Sequence, residues 1–190
     1  MLPLTQFNNW YREYLDTDPE EPTAMVIATA SAENRPSARV VLMKGFDEQG
    51  FVFYSNYTGR KGRELESNPR AALLFYWQVP GRQVRIEGKV SKVSAKESDA
   101  YFNSRPFGSR LSATISPQSE IIPDREFLVK KRRELIKKHP DQNIKRPDFW
   151  GGFRLVPEYF EFWQAGEHRL HHRTVYELKD GKWDKYLLAP

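Results

Sequence analysis

Between Pro22 and Val93 the chain is broken into short runs by closely spaced turn formers. Segments 24–30, 38–43 and 51–55 are rich in β-branched or aromatic residues. They are separated by Glu33-Asn34-Arg35-Pro36 and Asp47-Glu48-Gln49-Gly50. Runs of that length suit strands better than helices, and short turns between them favour antiparallel neighbours. Segment 71–77 is almost wholly apolar, as expected of a strand buried on both faces, and 83–93 resumes the strand pattern after Pro80-Gly81. The expectation is a meandering antiparallel β core.

Helices interrupt this core. Segment 60–67 is stopped by Asn68-Pro69, because the residue before proline is pushed out of the helical region. Ser94-Ala95-Lys96-Glu97 has the form of a capping box, and the helix it opens should end near Ser104, before Pro106. Segment 124–139 places Asp124 and Glu126 first and Lys137, Lys138 and His139 last, as the helix dipole prefers. Beyond Glu158 the pattern returns to strands, with Asp180-Gly181 as a hairpin turn. The chain reads as mainly β with helical insertions. Residues 1–21 form a short acidic N-terminal arm, and 22–190 a single domain.

Composition narrows the chemistry. The 190 residues are enough for one substantial core, and 39% hydrophobic content argues against disorder. No apolar run approaches the roughly 20 residues that span a bilayer, so no membrane partner and a cytoplasmic location are expected. The absence of cysteine excludes disulfides, thiolate catalysis and thiolate metal sites. A net charge of +5 suggests an anionic partner, which could be a nucleic acid or a phosphorylated small molecule.

Four places could carry chemistry. Glu161 to Arg173 gathers His168, His171 and His172 beside Arg169 and Arg173. If 169–173 is a strand, Arg169, His171 and Arg173 share one face as an anion-seeking surface, with His168 and His172 on the other. That alternation and the neighbouring arginines argue against a metal, so none is expected. Arg60-Lys61 opens a helix, which fits either anion capture or a solvated basic turn. Arg39 and Lys44 bracket an apolar strand at opposite parity, which reads as a strand with charged ends. Segment 101–109 is rich in donors and could hold a phosphate or merely cap a helix.

Taken in order, several stretches resemble one family, pyridoxine (pyridoxamine) 5′-phosphate oxidase. They are Arg39-Val-Val-Leu-Met-Lys44, Phe53-Tyr-Ser-Asn56 with Arg60-Lys61, Arg82-Gln-Val84, and Tyr101-Phe-Asn-Ser-Arg-Pro106. Phe149-Trp-Gly-Gly-Phe-Arg154 and Glu161-Phe-Trp-Gln164 through Arg169-Leu-His171 complete the series. The resemblance implies an FMN-binding split β-barrel that dimerises, with FMN at the subunit interface. It also implies oxidation of pyridoxine or pyridoxamine 5′-phosphate to pyridoxal 5′-phosphate by O2, which yields hydrogen peroxide, and no nucleic-acid partner.

By the same resemblance, Arg39, Lys44, Tyr54, Ser55, Arg60, Lys61, Gln83, Gln118, Ser119, Trp163 and Arg173 contact FMN. Lys44, Tyr101, Arg105 and Ser109 hold the substrate phosphate, and Arg169 and His171 lie over the substrate ring as the catalytic pair. Three departures stand out. His172 replaces a common Asp, Leu187 replaces a usual Arg near the C-terminus, and the N-terminal arm is short and acidic where relatives carry a longer basic one.

Overall fold

The computed structural model describes residues 2–190. Nine strands form one curled sheet: β1 (Ala24–Ala30), β2 (Pro36–Leu42), β3 (Gly45–Asp47), β4 (Gly50–Asn56), β5 (Arg70–Trp77), β6 (Arg82–Lys92), β7 (Trp150–Gln164), β8 (His172–Lys179) and β9 (Lys182–Leu188). Five helices accompany them: α1 (Pro3–Leu15), α2 (Arg60–Ser67), α3 (Ala95–Ser104), α4 (Phe107–Ile115) and α5 (Glu126–Lys138).

The strand order β2-β1-β5-β6-β7-β4-β3 explains the curl. β2 and β3 are consecutive in the chain yet lie at opposite ends of this order, joined by Met43 and Lys44 alone. The sheet must therefore bend until its ends meet. Met43 N–H donates to Thr23 O at one end and Lys44 N–H to Val52 O at the other, both at 2.8 Å. Lys44 thus sits on the seam of the barrel.

β7 gives the barrel its split. Its first half, Trp150 to Leu155, pairs with β4, while Tyr159 to Gln164 pairs with β8, and β6 runs along its other edge from Phe153 to Gln164. The change of partner comes at Pro157, which has no N–H to give a ladder, opposite an irregularity at Glu87/Gly88. A side chain at Gly88 would place its Cβ 2.0 Å from Val156 O, so only glycine fits there.

The inward faces of β1, β4, β5, β6 and β7 supply Ile27, Phe53, Leu73, Phe75, Ile86, Leu155 and Phe160, all essentially inaccessible. Along β5 the burial alternates, with Tyr76 64% exposed, so the expected burial of that strand on both faces is not found in the single chain. The N-terminal segment read as an acidic arm is mostly the helix α1. Its Phe7 is fully buried among Phe46, Phe51 and Phe75, at ring separations of 4.9–5.1 Å. Tyr176 Oη donates to Gln6 Oε1 at 2.8 Å, tying the same helix to β8.

Other boundaries shift. α2 matches its expected limits, and Ser94 Oγ caps α3 by accepting from Glu97 N at 3.1 Å. The donor-rich stretch after α3 is a loop only at Arg105-Pro106, since Phe107 to Ser109 already form the first turn of α4. The C-terminal strands begin at Trp150 rather than Glu158. Asp180 and Gly181 form the β8–β9 turn with φ of 49° and 77°, the left-handed pair that a two-residue hairpin of this kind needs.

Candidate functional site

The expected site residues fall into two groups. The first surrounds a cavity of about 430 Å³ lined in part by Lys44, Tyr54, Ser55, Lys61, Tyr101, Arg105 and Gln118. A larger hollow of about 690 Å³ beneath α1 is lined mainly by apolar groups and contains none of the expected residues. The smaller cavity is therefore the better candidate on chemical grounds.

One wall of this cavity is cationic. Lys61, in the first turn of α2, is buried, and its Nζ donates at 2.8 Å to Ser55 Oγ and to Gln118 Oε1. Both partners are neutral. Burial, aided by the positive charge of Arg39, pushes the lysine down to about 8. Gly59 permits this approach, since a Cβ there would come within 2.7 Å of Gln118 Oε1. Ser119 Oγ accepts from the Arg60 amide at 3.1 Å, satisfying a free N–H at the start of α2.

Arg39 and Arg60 meet on a carboxylate that sequence reading passed over. Glu64 is 5% exposed and receives Arg60 Nε at 2.8 Å, Arg39 Nη2 at 3.3 Å and Ser37 Oγ at 2.6 Å, together with Thr29 Oγ1. Burial alone would raise its carboxyl, but the hydrogen bonds from Ser37, Thr29 and Arg60 and the charge of Arg39 outweigh it. They hold the group at about 2. The signal was available: Glu64 lies one helical turn beyond Arg60. Arg39, Arg60 and Lys61 thus bring three positive charges against one carboxylate, although of the three only Lys61 lines the cavity and Ser119 does not line it either.

The opposite wall is aromatic. Tyr54 of β4 and Tyr101 of α3 stack at 3.8 Å between ring centroids, with Trp150 of β7 beside them at 5.6 and 6.2 Å. Burial is the main influence on both tyrosines, raising Tyr101 and pushing Tyr54 up to about 12, so both hydroxyls keep their protons at neutral pH. Arg105 lies over the Trp150 ring at 4.7 Å, and its Nη1 is buried without a hydrogen-bond partner. Ser109 is half-buried in α4 and is not among the residues lining the cavity.

The second group lies elsewhere on the sheet. Gln83, Trp163 and Arg173 are successive cross-strand partners on β6, β7 and β8, forming one rung. Arg173 Nε donates to Glu161 Oε1 at 2.7 Å, and Arg85 Nη2 to Glu161 Oε2 at the same distance. Burial raises the Glu161 carboxyl, but those two arginines prevail and hold it below its ordinary range. His171 packs on Trp163 at 4.6 Å, and its Nδ1 accepts from Gly166 N–H at 3.3 Å. In the neutral tautomer this pattern implies, Nε2 carries the proton and is left as a donor. None of these five residues, Gln83, Trp163, Arg169, His171 and Arg173, lines the cavity.

The strand expected over 169–173 does not form. Glu167 to Arg169 make a single 3-10 turn, and β8 begins at His172. Leu170 and His171 donate their amides back to Glu167 and Arg169, and His168 and Arg169 both take left-handed φ values of 51° and 65°. Turn hydrogen bonds have consumed the amides that a ladder would use, so strand alternation does not place Arg169 and His171. It does apply to the next pair: His172 is exposed, while Arg173 turns to Glu161.

Comparison with known proteins gives these residues a context. Residues 12–138 match the family model described as pyridoxamine 5′-phosphate oxidase. Residues 150–190 match that of the pyridoxine 5′-phosphate oxidase C-terminal dimerisation region. The pyridoxine/pyridoxamine 5′-phosphate oxidase of Rubrobacter xylanophilus is 52% identical over 99% of this chain and 87% of its own length. That of Trichormus variabilis is 51% identical, with 99% and 88% covered. Among solved structures, PhzG from Burkholderia lata, in complex with tetrahydrophenazine-1-carboxylic acid, superposes with a TM-score of 0.94. It is 33% identical over 99% of this chain and 92% of its own. A pyridoxamine 5′-phosphate oxidase-related, FMN binding protein from Nostoc punctiforme shares the fold, with a TM-score of 0.79 at 16% identity over 100% of this chain and 98% of its own. With identity above 50% across nearly its whole length, the chain belongs to the pyridoxine/pyridoxamine 5′-phosphate oxidase family of oxidoreductases.

Proposed function

We propose that this protein oxidises pyridoxine 5′-phosphate and pyridoxamine 5′-phosphate to pyridoxal 5′-phosphate with FMN as cofactor and O2 as final acceptor. The observation that carries this reading is the buried Lys61 in the cavity lining, which touches only neutral partners, with Arg39 and Arg60 held on Glu64 in the layer behind it. Such a donor set fits a phosphate monoester, and the FMN phosphate has the required charge. Ser55, Gln118 and Ser119 would complete its hydrogen bonds.

Held by Arg39, Arg60, Lys61, Ser55, Gln118 and Ser119, FMN would supply the acceptor for the hydride of the substrate's exocyclic carbon, with O2 as final oxidant. The alcohol, CH2OH, becomes CHO as O2 becomes H2O2; the amine consumes one water in addition and releases ammonia. The chain's own contribution is positional. Lys44, Tyr101, Arg105 and Ser109 would hold the substrate phosphate. Arg169, and His171 through its Nε2–H, would bind the pyridine ring. Gln83, Trp163 and Arg173, off the cavity in one chain, would serve the flavin of a second copy in a homodimer. Exposed Val40 beside the cavity and exposed Tyr76 on β5 are apolar surface for that contact.

The test is to load the protein with FMN, add pyridoxine 5′-phosphate without oxygen and follow the flavin's visible absorbance. Bleaching, with recovery and pyridoxal 5′-phosphate on readmission of air, is the expected result. The PhzG superposition supports a second reading, oxidation of a different ring system. Flavin that binds yet stays oxidised with both phosphorylated substrates would favour it.

A further inference from the structure

Most half-buried arginines of this chain are paired. Arg39 reaches Glu64, Arg85 and Arg173 reach Glu161, Arg146 reaches Asp99, and Arg154 reaches Asp47 and Glu97. Arg105 and Arg110 are different: among the described residues neither has an ion pair, although each has a buried guanidinium nitrogen without a partner, and of the two only Arg105 lines the cavity. What Arg105 has instead is the face of Trp150, 4.7 Å from ring centroid to guanidinium carbon. Indole is the strongest aromatic partner for a cation. A guanidinium lying on a ring keeps its N–H donors directed outward from its edge, the arrangement that grips a phosphate through two oxygens.

Trp150 is itself closely packed. It is 6% exposed, lies opposite Asn56 in the β4–β7 ladder and packs edge-on against Phe102 at 5.4 Å. Its amide donates to Pro147 O at 3.0 Å. Arg105 is constrained by its backbone as well, standing in an extended conformation between α3 and α4 with Pro106 next. Both Trp150 and Arg105 line the cavity that also contains Lys44 and Tyr101.

Resting on the functional reading above, we infer that Trp150 is a positioning residue for the substrate phosphate, acting through Arg105 by fixing the plane of its guanidinium. Among the described residues neither a carboxylate nor a backbone carbonyl holds Arg105, so its N–H donors are left for an incoming anion. A carboxylate in place of Trp150 would also hold the arginine, but would neutralise the charge that the phosphate needs.

The experiment uses FMN-loaded protein and inorganic phosphate as the probe, so that it does not depend on turnover. Phosphate affinity is measured by calorimetry for wild type, Trp150→Leu, Arg105→Met and the double variant, with Trp150→Phe as a milder change that keeps a ring. Trp150→Leu should weaken phosphate at least about tenfold and Trp150→Phe by less, while in the Arg105→Met background Trp150→Leu should add little. Steady-state kinetics with pyridoxine 5′-phosphate should place the loss on KM more than on kcat. Full additivity of the two substitutions, or phosphate affinity unchanged in both Trp150 variants, overturns the inference. Wild type that binds phosphate with this coupling yet oxidises neither pyridoxine nor pyridoxamine 5′-phosphate would sink the functional reading and leave the positioning role intact.

Discussion

Lys61 Nζ stands 2.8 Å from Gln118 Oε1, a buried ammonium set against a neutral amide rather than a carboxylate. Burial, aided by the charge of Arg39, depresses the lysine to about 8, and on the proposed reading an anion is the partner it lacks. Binding a phosphate dianion requires the protonated form. FMN affinity should therefore be nearly flat between about pH 7 and 8, where the phosphate is a dianion and the lysine is protonated, and weaken above it, approaching about tenfold per pH unit. Fluorescence titrations of FMN across this range should show the slope in wild type and lose it in Lys61→Met, whose affinity should also be weaker by about tenfold or more at neutral pH. A slope that survives in Lys61→Met would assign it to another group.

Glu64 makes a separate prediction about stability. Its folded carboxyl, at about 2, lies below the ordinary 4.5, so it stabilises the fold fully above pH 4.5 and less as pH falls towards 2. Glu64→Gln should flatten that part of the acid denaturation curve. It should also cost about 3 kcal/mol at neutral pH, because Arg39 and Arg60 lose their shared counter-charge. Denaturant unfolding at two pH values would separate these effects.

Phe7 tests whether α1 belongs to the core. Phe7→Ala removes a fully buried ring that touches three strands, for which about 3–5 kcal/mol is expected. A shift in the urea midpoint too small to account for even 1 kcal/mol, at the lower edge of core effects, would mean that the helix is an appendage.

Arg169 lies in the turn rather than in a strand and is exposed, and its guanidinium has no hydrogen-bond or ion-pair partner among the described residues. Arg169→Ala should leave FMN binding and stability unchanged while lowering kcat/KM at least about tenfold, equivalent to ~1.4 kcal/mol. Unaltered steady-state constants would remove it from the site.

Local rules made some of this architecture legible. Asn68-Pro69 stopped α2 where expected, Ser94 capped α3, and Asp180-Gly181 turned the last hairpin, because each depends on backbone preferences within a few residues. α1 was missed because the acidic residues that follow it drew attention from the stripe of Leu4, Phe7, Tyr11 and Tyr14, which Pro3 opens. The 169–171 turn could not be read from alternation, since Gly166 and the turn's own hydrogen bonds decide it. The Arg60–Glu64 spacing could be read along the helix, but the contacts of Arg39 from β2 with Glu64 and of Arg105 from the α3–α4 junction with Trp150 emerge only with tertiary structure.

The seam at Met43 and Lys44 has a dynamic corollary. The Lys44 amide is bonded across the closure to Val52, so its solvent exchange reports the barrel opening at that point. Any excursion that parts β2 from β4 carries the Lys44 ammonium away from Tyr54 and Lys61 on the far side. The cavity therefore cannot outlast the ring that encloses it, and loss of binding should keep pace with deuterium uptake at this one peptide group.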